Sequence, residues 1–249
     1  MKQKTLAAVL AALAVVVAGV VLSFFFTGRS AVKDQITLPG IGSAVVEAGK
    51  QLSSENREKV EALRVDRTNV QTLIATLSRP ETYRCRIEIT YAFADSSAVL
   101  AETVWKSGRL LRISQQDAQG EPDLQALLSD QWVYLWKGGG AYQRFPRQPE
   151  DEDLYARAPG WETLLSLPQK RIRSGGTREL GGRLCIVAET DDPALGQRTE
   201  WSILADSGLL LLAETYEGER LVYRAEMTEL SLEPPEENLF RLPDGASPD

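Results

Sequence analysis

Histidine is absent from all 249 residues, and Cys85 and Cys185 are the only two cysteines. These absences remove most zinc sites and every Ser-His or Cys-His catalytic arrangement. Carboxylates are plentiful and lysine chemistry remains possible, but no spacing singles out a pair for acid–base work or a ligand set for a cation. The chain is therefore expected not to be an enzyme, with no catalytic residue, no cofactor and no metal. Acidic residues are missing before Asp34: all 35 lie from there on, together with 24 of the 28 basic ones, giving that part a net charge of −11. So negative a surface argues against nucleic acid as a partner.

Charge of either sign is missing from residues 5–27, a run preceded by Lys2 and Lys4. As a helix it reaches roughly 35 Å, enough for the hydrocarbon core of a bilayer, and it exceeds the roughly 7–15 apolar residues of a secretory leader. An uncleaved signal anchor is the expectation. The alternative is cleavage within Gly28-Arg29-Ser30, before Ala31, although an arginine there fits poorly. No cysteine follows the run, which excludes a lipobox. Arg29 and Lys33 balance Lys2 and Lys4, so charge says little about orientation. The very short leading tail places the following chain outside the cytoplasm, as a single-pass protein of the cytoplasmic membrane. The organisation expected is a cytoplasmic tip and transmembrane segment over 1–27, a juxtamembrane stalk with a short helix over 28–65, a β domain over 66–245, and a disordered tail over 246–249.

Within the domain, Asp66 is placed to cap a helix over 67–77 whose Val70, Leu73, Ile74 and Leu77 form one apolar stripe. Pro80 stops it, and the period changes from 3.6 to 2. Cys85, Ile87, Ile89 and Tyr91 alternate with polar residues over 84–91, the pattern of a half-buried strand. That period predicts further strands over 99–106, 109–114, 124–128, 132–137, 141–145, 172–179, 184–190, 198–204, 209–217 and 220–230. Glycine-bearing turns punctuate them. So many short strands imply one large, curved antiparallel sheet or incomplete barrel, with the 67–77 helix as the plug of its concave face.

Trp105, Trp132, Tyr134, Trp136, Tyr142, Trp161 and Trp201, with Leu73 and Ile74 of the helix, are the candidates for lining an apolar cavity; the other reading makes them the core of the sheet. Trp132, Tyr134 and Trp136 share one face by parity, so that strand is expected to be covered on both sides. The stretch 150–168 holds an acidic run followed by Trp161, Leu164, Leu165 and Leu167, and reads either as an amphipathic helix crossing the mouth of the sheet or as a solvated loop anchored by its tryptophan. The basic cluster Lys170-Arg171-Ile172-Arg173 suits lipid headgroups or an acidic partner, or simple solubility. Cys85 and Cys185 are either a disulfide, worth about 4.7 kcal/mol in the chain-entropy model for so long a loop, or two separate buried thiols.

The order of these pieces resembles the LolA-type lipoprotein-carrier superfamily. The resemblance rests on Asn69-Val70-Gln71 through Leu77 as the leading helix and on Trp132-Val133-Tyr134-Leu135-Trp136 running into Tyr142-Gln143-Arg144-Phe145-Pro146. It also rests on the strand–turn–strand unit from Thr199 to Leu209 and on the closing Asn238-Leu239-Phe240-Arg241-Leu242-Pro243. It implies a mainly β fold, an incomplete antiparallel barrel wrapped around a helix, here behind a transmembrane segment. It also implies a non-catalytic protein whose concave apolar face holds the acyl chains of lipids or lipoproteins. The alternative it carries is a protein-interaction or regulatory module, the partner of an envelope or spore-cortex enzyme. A tether argues against shuttling between membranes and for a stationary binding protein.

Overall fold

The computed structural model describes residues 54–117, 120–148, 151 and 155–248. The apolar run 5–27, the first part of the proposed stalk and the last residue of the tail lie outside them. Among the described residues no helix is long and apolar enough to cross a membrane.

The first element is a helix at 54–61, α1. Residues 54–65, assigned to the stalk from sequence, send Asn56, Val60 and Val65 into the interior. The α2 helix, Val70–Thr76, carries the expected stripe, and Val70, Leu73, Ile74 and Leu77 are all buried. Asn69, not Asp66, is its N-cap residue. The Asp66 carboxylate instead accepts from Thr68 N (2.7 Å) and Thr68 Oγ1 (2.6 Å) one turn earlier, and the Asp66 carbonyl receives Val70 N (3.0 Å). A carboxylate that bonds its own backbone two residues on makes a turn of its own, and the helix starts where that turn ends.

Eleven strands follow: β1 (Thr82–Ala92), β2 (Ser97–Ser107), β3 (Leu110–Gln116), β4 (Pro122–Leu128), β5 (Trp132–Lys137), β6 (Gln143–Pro146), β7 (Ile172–Leu180), β8 (Arg183–Asp192), β9 (Gln197–Leu204), β10 (Leu210–Glu217) and β11 (Arg220–Ser231). The short helix α3, Trp161–Ser166, precedes β7. All eleven strands form one open antiparallel sheet in the order β6-β5-β4-β3-β2-β1-β11-β10-β9-β8-β7. Two meanders, each built from hairpins between sequence neighbours, therefore meet where β1 pairs β11. That seam joins residues far apart in sequence, Ile89 opposite Ala225 for example.

One row across the sheet explains how it accepts a helix. Ile89, Ala225, Ala213, Trp201, Ala188 and Gly175 are successive register partners on β1, β11, β10, β9, β8 and β7. Alanine on either side of Trp201 leaves room for its indole, and Gly175 leaves room for the approach to α2. A Cβ built on Gly175 falls 2.5 Å from the Asp66 carbonyl oxygen and 2.9 Å from Val70 Cβ. The α2 stripe packs here with Ile172, Ile186, Ala188, Trp201, Ile203 and Ala213. Each of the valine, leucine and isoleucine side chains here contributes about 1.5–3 kcal/mol on burial.

The opposite face of the first meander has its own cover. Leu127, Tyr134 and Trp136 form a cluster with Phe240 and Leu242, joined by Trp105, Leu110, Trp132, Tyr142 and Leu239. The chain after β11, including the 3₁₀ turn Glu237–Phe240, thus lies against this outer face. Arg112 fixes it there: its Nη1 donates to the Leu239 carbonyl, and its guanidinium lies 5.7 Å and 5.5 Å from the Trp105 and Trp136 ring centres. Strand β5 is therefore covered on both sides, since Val133 and Leu135 join the inner cluster.

Gly175→Ala is expected to destabilise the protein by about 1–3 kcal/mol, the usual cost of overpacking. Gly176→Ala, whose Cβ meets Val187 at an ordinary 3.7 Å, should change stability little. Urea unfolding of both variants checks this; equal midpoints would remove the close-approach argument.

Candidate functional site

Strands β6 and β7 are the two edges of the sheet. The chain between them must therefore travel from one edge to the other. Its described residues show the route along the inner face: Tyr155 and Ala156 pack with the cluster of Cys85, Val104, Leu111, Ile113 and Met227. Ala158 packs with Ile89 and Ala225, and Trp161 and Leu164 reach the α2 cluster. Residues 155–162 thus form a strap over the middle of the sheet.

Three polar side chains of the inner face hold the strap. Gln115 on β3 donates from Nε2 to the Tyr155 carbonyl (2.9 Å). Glu102 on β2 accepts from Arg157 N (2.9 Å, at Oε2) and from Ala158 N (3.4 Å, at Oε1). Tyr223 on β11 donates its hydroxyl to the Arg157 carbonyl (3.1 Å). Backbone groups of an irregular segment buried on a sheet need such partners, because an unpaired one costs about 1–3 kcal/mol. The end of the strap is tied to α2. Gln71 Nε2 donates to the carbonyls of Leu164 (2.9 Å) and Leu167 (2.8 Å) at the end of α3. Arg79 donates to the carbonyls of Ile74 and Leu77 (both 2.9 Å), and its guanidinium lies 3.3 Å from the Trp161 ring centre. Burial lowers the Arg79 pKa to about 10, with Glu162 pulling it back; it remains charged at neutral pH.

Asn56 locks α1 into the same assembly. It is fully buried, donating to the carbonyls of Ser78 (2.7 Å) and Asp206 (3.1 Å) and accepting from Ser78 N (3.0 Å).

Under the strap lies a cavity of about 120 Å³. Its floor is apolar: Cys85 and Ile87 from β1, Val104 from β2, Leu111 and Ile113 from β3, and Met227 from β11. Leu209 to Leu211 close one side, and Ala156, Ala158 and Trp161 form the roof. Glu102 is the acid of the sheet that borders it and is fully buried. Desolvation raises its pKa, opposed by the two strap N–H groups and by Arg157. Cys85 also borders the cavity; burial, then the charge of Glu102, pushes its thiol up to about 12. Cys185 is pushed up to about 11, mainly by burial. Both cysteines are free and buried, and thiols so perturbed are not nucleophiles at neutral pH. Among the described residues no group of three or more His, Cys, Asp or Glu is placed to hold a metal.

No family model and no curated protein matches the chain. Among solved structures, the chain is similar to an uncharacterized conserved protein from Thermus thermophilus, at 13% identity over 78% of this chain and 96% of that one, with a TM-score of 0.45. It is similar also to a LolA superfamily protein from Nitrosomonas europaea, at 10% identity over 76% and 97% of the two chains, TM-score 0.34. A third is a DUF1329 family protein from Desulfovibrio piger, at 10% identity over 74% and 92%, TM-score 0.30. A protein of the LolA superfamily, which the sequence resembles, is thus among the solved structures similar to the chain. What the chain does is argued from its own residues.

Of the residues expected to line a cavity, Trp161 does so. Leu73, Ile74 and Trp201 lie in the cluster between α2 and the sheet, where Trp201 Nε1 donates to Thr190 Oγ1 (2.9 Å). Trp105, Trp132, Tyr134, Trp136 and Tyr142 belong to the outer cluster beneath the C-terminal segment. Parity had grouped Trp132, Tyr134 and Trp136, but parity cannot say which of two faces is concave. Both arginines of the 170–173 cluster are engaged within the protein: Arg171 pairs with Asp192 (2.7 Å), and Arg173 with Asp191 (3.3 Å) and Glu189 (3.4 Å). Glu102, Gln115 and Tyr223 went unnoticed in the sequence. The first two had a signal: Glu102 shares parity with Leu100 and Val104, and Gln115 with Leu111 and Ile113, so both are polar residues on an apolar face.

The raised Glu102 pKa has a stability consequence. The folded protein holds this proton more tightly than the unfolded chain, whose value is near the ordinary 4.5. The contribution is therefore fully present below that value and is lost as pH rises through the folded-state value. Relative to Glu102→Gln, the wild type is expected to lose stability as pH rises from about 4 to 8. Denaturant unfolding of the two proteins across that range checks the slope; a flat difference, or one rising with pH, would contradict it.

Proposed function

We propose that this is a non-catalytic binding protein, tethered to the cytoplasmic membrane with its β domain outside, that takes an apolar ligand, an acyl chain of a lipid or lipoprotein, between the inner face of the sheet and the strap. The observation that carries the reading is the apolar floor beneath a segment that joins a few polar contacts to the packing of small side chains such as Ala156 and Ala158. At about 120 Å³ the cavity is smaller than the roughly 300–1,000 Å³ of ordinary ligand sites. Loading therefore requires the strap to lift. Its three pinning side chains make hydrogen bonds worth about 0.5–1.5 kcal/mol each. Burying an acyl chain returns about 0.8 kcal/mol per methylene, so a handful of methylenes offsets the release. The perturbed, buried thiols and the carboxylate engaged by backbone N–H groups fit a site that holds rather than reacts.

The small volume also favours a second reading, in which the concavity is a filled core and the domain works through its surface as a partner of an envelope protein. The experiment that separates the two is native mass spectrometry with lipid analysis of the full-length chain isolated from its own membranes. Acyl-bearing mass that disappears in Ala156→Trp, which fills the cavity from the strap, is the expected result. A folded protein without such mass, isolated with a stoichiometric protein partner, would overturn the ligand reading in favour of the second.

A further inference from the structure

Most arginines of the domain are engaged: Arg183 pairs with Asp206 (3.0 Å), Arg109 with Asp130 (2.6 Å), and Arg86 donates to Gln116 Oε1 (2.8 Å). Among the described residues, Arg64, Arg67 and Arg178 are the arginines whose side chains enter no hydrogen bond, ion pair or ring contact. Two of the three lie together, in the turn that follows α1. The fold brings Lys170, which is equally unpartnered, to the same place, because Gln169 Nε2 donates to the Arg67 carbonyl. The turn is fixed: Asn69 Nδ2 donates to the Arg64 carbonyl (2.9 Å), and Asn69 Oδ1 accepts from Asp66 N (2.9 Å). Arg64, Arg67 and Lys170 are all exposed, and Leu63 beside them is 52% exposed. The acids of this stretch are engaged, Glu61 with Arg57 (2.7 Å) and the Asp66 carboxylate with Thr68, Arg64 adding only a minor pull on the latter. Three cations thus surround one exposed leucine.

Resting on the reading that the chain is membrane-tethered, we propose that this patch docks the domain on the anionic surface of its own bilayer, with Leu63 at the headgroup boundary and Arg64, Arg67 and Lys170 on lipid phosphates. Reach and charge set the occupant. Residues 28–53 separate the apolar run from α1; fully extended they span at most roughly 90 Å, and α1 adds about 12 Å before the patch. The bilayer is therefore within reach of the patch, and a tether turns docking into an intramolecular step. The chain from Asp34 on carries a net charge of −11, so an anionic surface favours this side of the domain over the acidic remainder. That repulsion is screened over about 8 Å at physiological salt. Each base held at an anionic surface multiplies binding about fivefold, and three together about a hundredfold.

The test is hydrogen exchange of the full-length chain in nanodiscs of phosphatidylcholine with phosphatidylglycerol and in nanodiscs of phosphatidylcholine alone. Amides of residues 62–67 should exchange at least about tenfold more slowly on the anionic discs. The variant combining Arg64→Glu, Arg67→Glu and Lys170→Glu should lose that difference, whereas Arg178→Glu, which alters an unpartnered arginine elsewhere on β7, should keep it. Equal exchange on the two discs, or loss of the difference in Arg178→Glu as well, would overturn the docking and leave the tether standing. Equal exchange on both discs with slow exchange in native membranes would assign the patch to a protein partner and likewise overturn lipid docking. Release of the chain from its own membranes by alkaline carbonate would overturn the tethered reading and the docking with it. The comparison of the two discs uses the unaltered protein, so it decides the matter even if the triple variant folds poorly.

Discussion

The segment that must cross the sheet is the constraint from which the rest of the domain follows. Two meanders that meet through β1 and β11 leave β6 and β7 at opposite edges. Ten strand spacings of about 4.8 Å would span roughly 48 Å in a flat sheet. A crossing of that length over a sheet face buries irregular backbone, and buried irregular backbone must find hydrogen bonds. Gln115, Glu102 and Tyr223, from three different strands, supply them. The inner face is therefore not purely apolar, and the strap combines these hydrogen bonds with the packing of Tyr155 and Ala156 against the cluster of Leu111, Ile113 and Met227.

The second half of the sheet solves a related problem by subtraction. Alanine at 188, 213 and 225 and glycine at 175 lower the surface where α2 and Trp201 sit. Asn56, Gln71 and Arg79 then tie α1, α2, α3 and the 206–208 turn together through backbone carbonyls. The outward face of the same strands is left to ion pairs such as Arg224 with Glu214 and Glu226, and Arg198 with Glu200 (2.8 Å). Partly exposed pairs of this kind contribute little each and keep that face soluble.

The eleven strands were legible because several carry an apolar–polar alternation and most end at a glycine held at positive φ, such as Gly108 or Gly218. The α2 stripe was legible for the same reason, since period and stop signal agree. What parity could not supply is handedness of face. Trp132, Tyr134 and Trp136 were grouped on one side, and only the folded C-terminal segment, through Phe240 and Leu242, decides that this side is the outer one. The β1·β11 seam was equally hidden, because nothing in either strand names a partner so distant in sequence. Asn56 fell in a stretch with no apolar pattern, and its burial depends on carbonyls of Ser78 and Asp206 that local sequence does not display. Glu102 broke the pattern of its own strand, and such a break marks the site.

The concavity is a small, largely apolar space bordered by the buried acid Glu102. The proposed ligand binding depends on the strap being both well held and releasable. Hydrogen exchange at the Arg157 and Ala158 amides of the full-length chain tests this most directly. The account predicts that both amides exchange far more slowly than an exposed loop, yet faster than the amides of β1 and β11, because the strap opens without unfolding the sheet. Exchange at the rate of an unstructured chain, or protection equal to that of the central strands, would contradict it.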